Sequence, residues 1–326
     1  MAEPDAPPTV HVVVPCTKRK TRPVPVEARL RSVDGASPEE RVERWIKRLG
    51  GVTGAMVPAL DLYGGDHWSV VRSVVSDGGL PYRVRLWVCS AGYGLVAADA
   101  PLRPYSATFS SGHPDSTHAT TPVLGQRESF RRWWRALARW EGPVPGAARS
   151  VVDLARATPA ASIVVAGSAP YLRAMEDDLL QACRALDTPE ALTIVSAAEV
   201  RLGELESNRP PFDARLARKI GGGLMSLNVR VLREVLRGGT APPRTPDVAA
   251  RVAELARGMA PFQKPRRAPL SDEQVRAYLR DELDRSPGGR WSPLHRRLRD
   301  AGSACEQKRF RRLYEEVREE SGSNGR

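Results

Sequence analysis

Cys16, Lys18 and Lys20 stand at alternate positions just beyond the apolar run Val10 to Val14, with Thr17 and Arg19 between them. Ammonium groups and loop amides in such a place can bind a phosphate or stabilise a departing anion, and a thiol beside cations is a potential nucleophile. The commoner role of a cysteine at a strand end is that of a small buried side chain. The Gly-rich spacing of a phosphate loop is absent, which disfavours a nucleoside triphosphatase. A second apolar run, Val84 to Val88, opens into Cys89 and Ser90-Ala91-Gly92-Tyr93-Gly94 and lacks the G-x-G-x-x-G spacing of dinucleotide sites. A third, Ser162 to Ala166, opens into Gly167, Ser168 and Tyr171, whose amides can meet an anion or simply allow tight packing.

Beyond Gly94 the chain passes from Asp99 through Tyr105, Thr108, His113 and Asp115 to His118 with little periodicity, and long stretches of that kind are often functional. Asp99 and Asp115 have the chemistry of a general base or of a carboxylate that stabilises positive charge. Taken singly, each is more simply a turn residue. His113 and His118 lack Cys or Asp partners at ligand spacing, so neither a metal nor any other cofactor is expected.

Such residues act together only if a scaffold gathers the strand exits. The three runs, with a fourth at Leu192 to Val195, have the length and β-branched content of strands buried on both faces, and helical patterns separate them. The sequence therefore predicts an α/β domain over residues 1–240, with a mostly parallel central sheet flanked by helices. Ligands of such sheets bind at the carboxyl ends of the strands. Ser37 and Pro38 start a first helix that Gly50-Gly51 ends, and a later helix covers Tyr171 to Leu186. In Gln126 to Trp140, five arginines are interleaved with Phe130, Trp133, Trp134 and Leu137. That stripe reads as aromatic core beneath an Arg surface; the competing reading is an exposed tryptophan that stacks on an extruded base. Residues 241–270 are rich in Pro and Gly and read as a linker around a short helix, Pro246 to Arg257.

From Pro269 the pattern is helical, with capping-box spacing at Ser271 to Gln274 and at Ser303 to Glu306. Helices over Pro293 to Ala301 and Ala304 to about Glu319, divided by Gly302, resemble a helix-turn-helix and define a basic all-helical domain over residues 271–326. Between Arg285 and Arg312, nine Lys or Arg residues stand against two acids, a net +7. Arg296, Arg297, Lys308, Arg309 and Arg312 are the expected phosphate contacts; a solvated face of an accessory bundle is the competing account. The 326-residue chain carries 50 Lys plus Arg against 38 Asp plus Glu, a net +12 that favours DNA or another polyanion over a neutral metabolite. Its four cysteines are widely spaced without a C-x-x-C pair, and no segment approaches the ~20 apolar residues of a membrane span. A reducing cytoplasm and no obligate protein partner are the expectations.

Taken together, Cys16, Lys18, Lys20, Leu62-Tyr63, Ser90-Ala91-Gly92-Tyr93-Gly94-Leu95, Asp99, Pro104-Tyr105 and Thr108-Phe109 resemble, over about residues 10–195, a bacterial family related to the DNA-binding peroxide-stress protein YaaA. More distantly they resemble the core of archaeosine synthase and uracil-DNA-glycosylase-like sheets. Relatives of this general kind include a phage-defence DNA glycosylase that removes glucosylated hydroxymethylcytosine. The Asp-Pro-Tyr-His loop of uracil glycosylases is absent after the first strand, where Cys16 to Lys20 stands instead. The resemblance implies hydrolysis of an N-glycosidic bond at an extruded, modified base in DNA, leaving an abasic site. On that reading Asp99 first and Asp115 second supply the carboxylate, and Lys18 or Lys20 stabilises the departing base or binds a phosphate. Tyr93 and Tyr105 stack on the base, and Ser90, Thr108 and His113 read its polar edge. Cys16, Thr17, Gly92, Gly94, Ser168 and Tyr171 complete the pocket. The alternatives are a noncatalytic DNA-binding stress or defence protein and a base transglycosylase with a covalent carboxylate.

Overall fold

The computed structural model describes residues 7–76, 78–118, 124–197, 201–263 and 267–323. The chain divides into two compact units, Met1–Pro261 and Phe262–Arg326. The first unit begins with β1 (Thr9–Pro15), α1 (Pro38–Gly51), β2 (Val57–Pro58), α2 (Ala59–Leu62) and α3 (Asp66–Ser76). It continues with β3 (Arg83–Ser90), β4 (Gly94–Ala97), β5 (Pro101–Leu102), α4 (Gln126–Ala138), α5 (Val151–Ala157) and β6 (Ser162–Ala166). Then follow α6 (Ala169–Ala174), α7 (Glu176–Ala185), β7 (Leu192–Val195), α8 (Leu216–Ile220), α9 (Leu227–Arg237) and α10 (Thr245–Ala256).

Five strands form one sheet in the order β4-β3-β1-β6-β7, parallel throughout except for β4, which runs antiparallel to β3. From β1 the chain first crosses to β3 on one side and later to β6 on the other. The strand order thus reverses at the boundary of β1 and β6, the position where open α/β sheets form a ligand crevice. The mostly parallel sheet with flanking helices is the architecture expected from the four β-branched runs.

β1 is the central strand and is buried from Val10 to Pro15, His11 included. The buried imidazole is satisfied: Nδ1 accepts from Trp87 Nε1 at 3.0 Å, which leaves Nε2 as the protonated nitrogen, 3.0 Å from Thr158 Oγ1. Burial first, and the Arg85 charge second, lower its pKa to about 4, so the ring is neutral at physiological pH.

Local signals account for most element ends. Ser37 accepts from the Glu40 amide and Pro38 opens α1. β4 is only four residues long, too short to carry a pattern in the sequence; Gly94, at φ +74°, turns the chain tightly enough to pair it with β3. The helix expected over Tyr171 to Leu186 is broken at Met175 into α6 and α7. α10, expected inside a linker, belongs to the first unit and packs on its core, because Val248, Val252 and Leu255 recur at helical spacing and Thr245 Oγ1 donates to Leu192 O at 2.8 Å. Residues 264–266 of that expected linker lie outside the described residues.

The second unit contains β8 (Ala268–Pro269), α11 (Asp272–Arg285), α12 (Trp291–Asp300), β9 (Ser303–Ala304) and α13 (Gln307–Ser323) around its own core, which includes Leu279, Leu294, Leu298, Phe310 and Leu313. The Ser271 capping box forms. The one expected at Ser303 does not, because Ser303 and Ala304 pair with Ala268 and Pro269. Glu306 caps α13 in its place, accepting from the Arg309 amide at 2.8 Å.

Candidate functional site

A cleft of about 340 Å³ opens where β1 and β6 end. The Pro15 to Lys18 exit forms one wall, the Ala166 to Ser168 exit another, and Ala107, Thr108 and Ser110 a third. The volume lies within the ~300–1,000 Å³ typical of small-molecule sites. Cys16 and Tyr171 meet in the cleft, Sγ to Oη at 3.1 Å, and the Cys16 amide extends the β1–β3 ladder to Cys89 O. Asn228, in the first turn of α9, fixes two strand exits at once: Nδ2 donates to Gly167 O at 2.7 Å and Oδ1 accepts from the Ala197 amide at 3.0 Å.

His67, absent from the residues singled out in the sequence, also lines the cleft. Its Nε2 is buried and has no hydrogen-bond partner. Burial pulls its pKa down to about 4 against the opposing pull of Asp66 and the Pro15 carbonyl, so the imidazole is neutral. One histidine at the start of a helix carries no sequence signal of its own. It reaches the cleft because the 62–65 segment docks on the β1 exit: Thr21 N donates to Leu62 O, Gly64 N to Arg19 O, and Thr17 Oγ1 to Gly64 O. Lys18 is exposed and lines the same cleft. Lys20 is turned away, its Nζ 2.5 Å from Thr17 O and 5.0 and 4.5 Å from the ring centres of Tyr63 and Tyr105. Burial lowers its pKa to about 8, with the Cys16 interaction opposing.

Of the residues chosen from the sequence, Cys16, Thr17, Lys18, Thr108, Ser168 and Tyr171 come together here. The second strand exit does not line the cleft. Ala91 O accepts from Trp133 Nε1 and Gly92 O from Trp45 Nε1, both at 2.8 Å, while the Arg149 guanidinium binds Tyr93 O and Leu95 O. Ser90, Gly92, Tyr93 and Gly94 are therefore interior framework. Tyr105 is buried as well, its hydroxyl 2.6 Å from Ser90 Oγ and 3.0 Å from Tyr63 Oη; Tyr93 stacks on Trp140. Neither tyrosine has a free face for a base. The stripe of α4 is core, as its spacing indicated, with Trp133 and Trp134 buried and Arg131, Arg132 and Arg135 paired to Asp177, Glu39 and Asp177.

Neither expected carboxylate lines the cleft. Asp99 is exposed in the turn after β4, and because β4 runs antiparallel it carries the chain back from the carboxyl edge of the sheet. Asp115 is buried and saturated: Oδ1 accepts from the Arg31 amide and Nε at 3.0 and 2.8 Å, and Oδ2 from Arg31 Nη2 and Ser106 Oγ at 2.6 and 2.7 Å. Burial alone would raise its pKa; the Arg31 and Ser106 hydrogen bonds overcome this and hold it at about 2. Its stabilising contribution is complete above the ordinary value of 3.8 and is lost as pH falls through about 2. Asp115→Asn is expected to cost about 2 kcal/mol at pH 7, read as a lower urea midpoint with the cleft's ligand affinity unchanged. An unaltered midpoint would remove this structural role. His113 accepts from the Asp115 amide through Nδ1 and borders, with Arg31 and Arg41, a second groove of about 480 Å³.

In the second unit Arg297 pairs with Glu282, Arg309 with Asp272, and Arg312 with Asp272 and Glu316. These three cations are already engaged by acids of their own bundle. Arg296 and Lys308 are exposed, and no side-chain ion pair is seen for them among the described residues. Among the described residues no helix is long and apolar enough to cross a membrane. Comparison of the chain with protein-family models, with curated proteins and with solved structures gives no match.

Proposed function

We propose that the first unit hydrolyses the N-glycosidic bond of a modified nucleobase in DNA, leaving an abasic site. The observation that carries this reading is a neutral His67, its Nε2 buried and without a hydrogen-bond partner, lining the same cleft as the Lys18 ammonium at the reversal point of the sheet. Bond cleavage sends the C1′–N electron pair to the base and builds oxocarbenium character on the sugar. Lys18 stabilises the departing anionic base, which then takes up a proton from solvent. Water forms the new C1′–O bond and loses its proton to His67 Nε2. The hydroxyls of Thr108, Ser110 and Ser168 offer partners to the base's polar edge, and the cleft's volume suits a base enlarged by a sugar-sized group, such as glucosylated hydroxymethylcytosine.

DNA is the substrate that the net charge of +12 favours, and Arg296 and Lys308 of the second unit supply phosphate contacts. We assign the activity to the cytoplasm, in defence against phage whose DNA carries such bases. The transglycosylase alternative needs a carboxylate nucleophile, and no Asp or Glu is among the described residues that line the cleft. Incubation with plain, hydroxymethylated and glucosylated phage DNA, followed by mass spectrometry of free base and abasic sites, tests the reading. Release from the glucosylated DNA is the expected result; binding to all three with release from none would make this a noncatalytic DNA-binding protein.

A further inference from the structure

Met225 is 96% exposed and its neighbour Leu224 59%, and Met225 lines the mouth of the cleft. Neither side chain contributes to the hydrophobic core. The pair follows Gly221-Gly222-Gly223, of which Gly221 and Gly222 take φ of +72° and +81°, a turn that side-chain-bearing residues rarely form. The base of this turn is held firmly. Ser226 is buried, and its Oγ donates to Asp66 Oδ2 at 2.5 Å; Arg230 Nη2 reaches Asp66 Oδ1 at 2.6 Å. Asp66 is the residue next to His67, so the apolar tip is anchored to the segment that carries the unpartnered imidazole. Two adjacent exposed apolar side chains on a fixed support are available for a partner to receive.

We propose that Leu224 and Met225 form a wedge that enters the base stack of duplex DNA beside the nucleotide whose base occupies the cleft. Proteins that unstack DNA insert such apolar side chains between bases, and an extruded base leaves a gap for them to fill. The surrounding charge matches this occupant: Lys18 lies on the same cleft, and Arg218 and Lys219 are exposed at the end of α8, just before the tip. Phosphates flanking the gap would meet these cations, whereas a second copy of this basic surface would repel it.

The inference rests on the proposed function in taking DNA as the ligand. Its test uses the full chain and a duplex carrying 2-aminopurine beside a glucosylated hydroxymethylcytosine, together with the matching single strand. Binding of the wild-type protein is expected to raise the 2-aminopurine fluorescence several-fold. The double variant L224A/M225A should lose that rise and lower the ratio of duplex to single-strand base release at least tenfold, whatever the cleft-lining Met225 contributes to both substrates. M225L should retain both signals, because an apolar tip is all that a wedge requires. A double variant that unstacks duplex as well as wild type, or that loses single-strand activity equally, would overturn the wedge. So would sedimentation showing that wild type is a dimer and the double variant a monomer, since the tip would then serve self-association. Unstacking without base release by wild type would refute hydrolysis and leave the wedge standing; release from duplex that survives in the double variant would do the reverse.

Discussion

His67→Gln is expected to slow base release by about 10²–10⁴-fold, the usual contribution of a positioned proton acceptor, with little change in DNA affinity or in the urea midpoint. Glutamine keeps much of the side chain's bulk and polarity but cannot take the proton of the attacking water. The pH profile separates this role from a packing role. Protonation silences the acceptor, and burial sets the imidazole pKa at about 4, so wild-type kcat/KM should hold through pH 6.5 and fall only as pH approaches 4. An ordinary histidine would already be half protonated near 6.5. Activity of His67→Gln within threefold of wild type, or an acid limb near 6.5, would remove His67 from the chemistry.

Gly92→Ala is expected to be the most damaging small substitution in the first unit. A Cβ at this position would lie 2.4 and 2.5 Å from two carbons of the Tyr105 ring. Neither side can yield. The Gly92 amide is bonded to Ser90 Oγ at 3.2 Å and its carbonyl to Trp45 Nε1 at 2.8 Å, while the Tyr105 hydroxyl is fixed by Ser90 and Tyr63 and its ring face by Lys20. Overpacking of this kind should cost about 3 kcal/mol or more, measured as a lower urea midpoint. Gly50→Ala, at a helical position where nothing approaches a new Cβ, is the control and should be neutral or stabilising by up to about 1 kcal/mol. Equal midpoints for the two variants would contradict the close approach of Gly92 to Tyr105.

The central sheet was legible because its strands are buried on both faces, and only apolar, β-branched residues satisfy that position. The first and third exits were legible for the same reason, since polar residues directly after such strands must emerge at the carboxyl edge. The second exit misled because Ser90 and Gly92 look equally polar and open in the sequence. Their burial depends on indoles from α1 and α4, contacts 42 to 47 residues away in the chain. Asp99 misled because a four-residue antiparallel strand reverses the chain, and Asp115 because its Arg31 partner lies 84 residues earlier. His67 was invisible for the complementary reason: its place in the cleft comes from docking of the 62–65 segment on the β1 exit, not from any local pattern.

The first turn of α9 bears on how this site could diverge. Asn228 ties together the exits of β6 and β7, and Ser226, two residues earlier, tethers the apolar tip to Asp66 beside His67. A substitution there disturbs the entrance, the back wall and the imidazole together. The hydroxyls of Thr108, Ser110 and Ser168 sit on separate segments, so each can vary without moving the others. Changes in what the cleft accepts are therefore most easily made at those three positions, with α9 left as the fixed support.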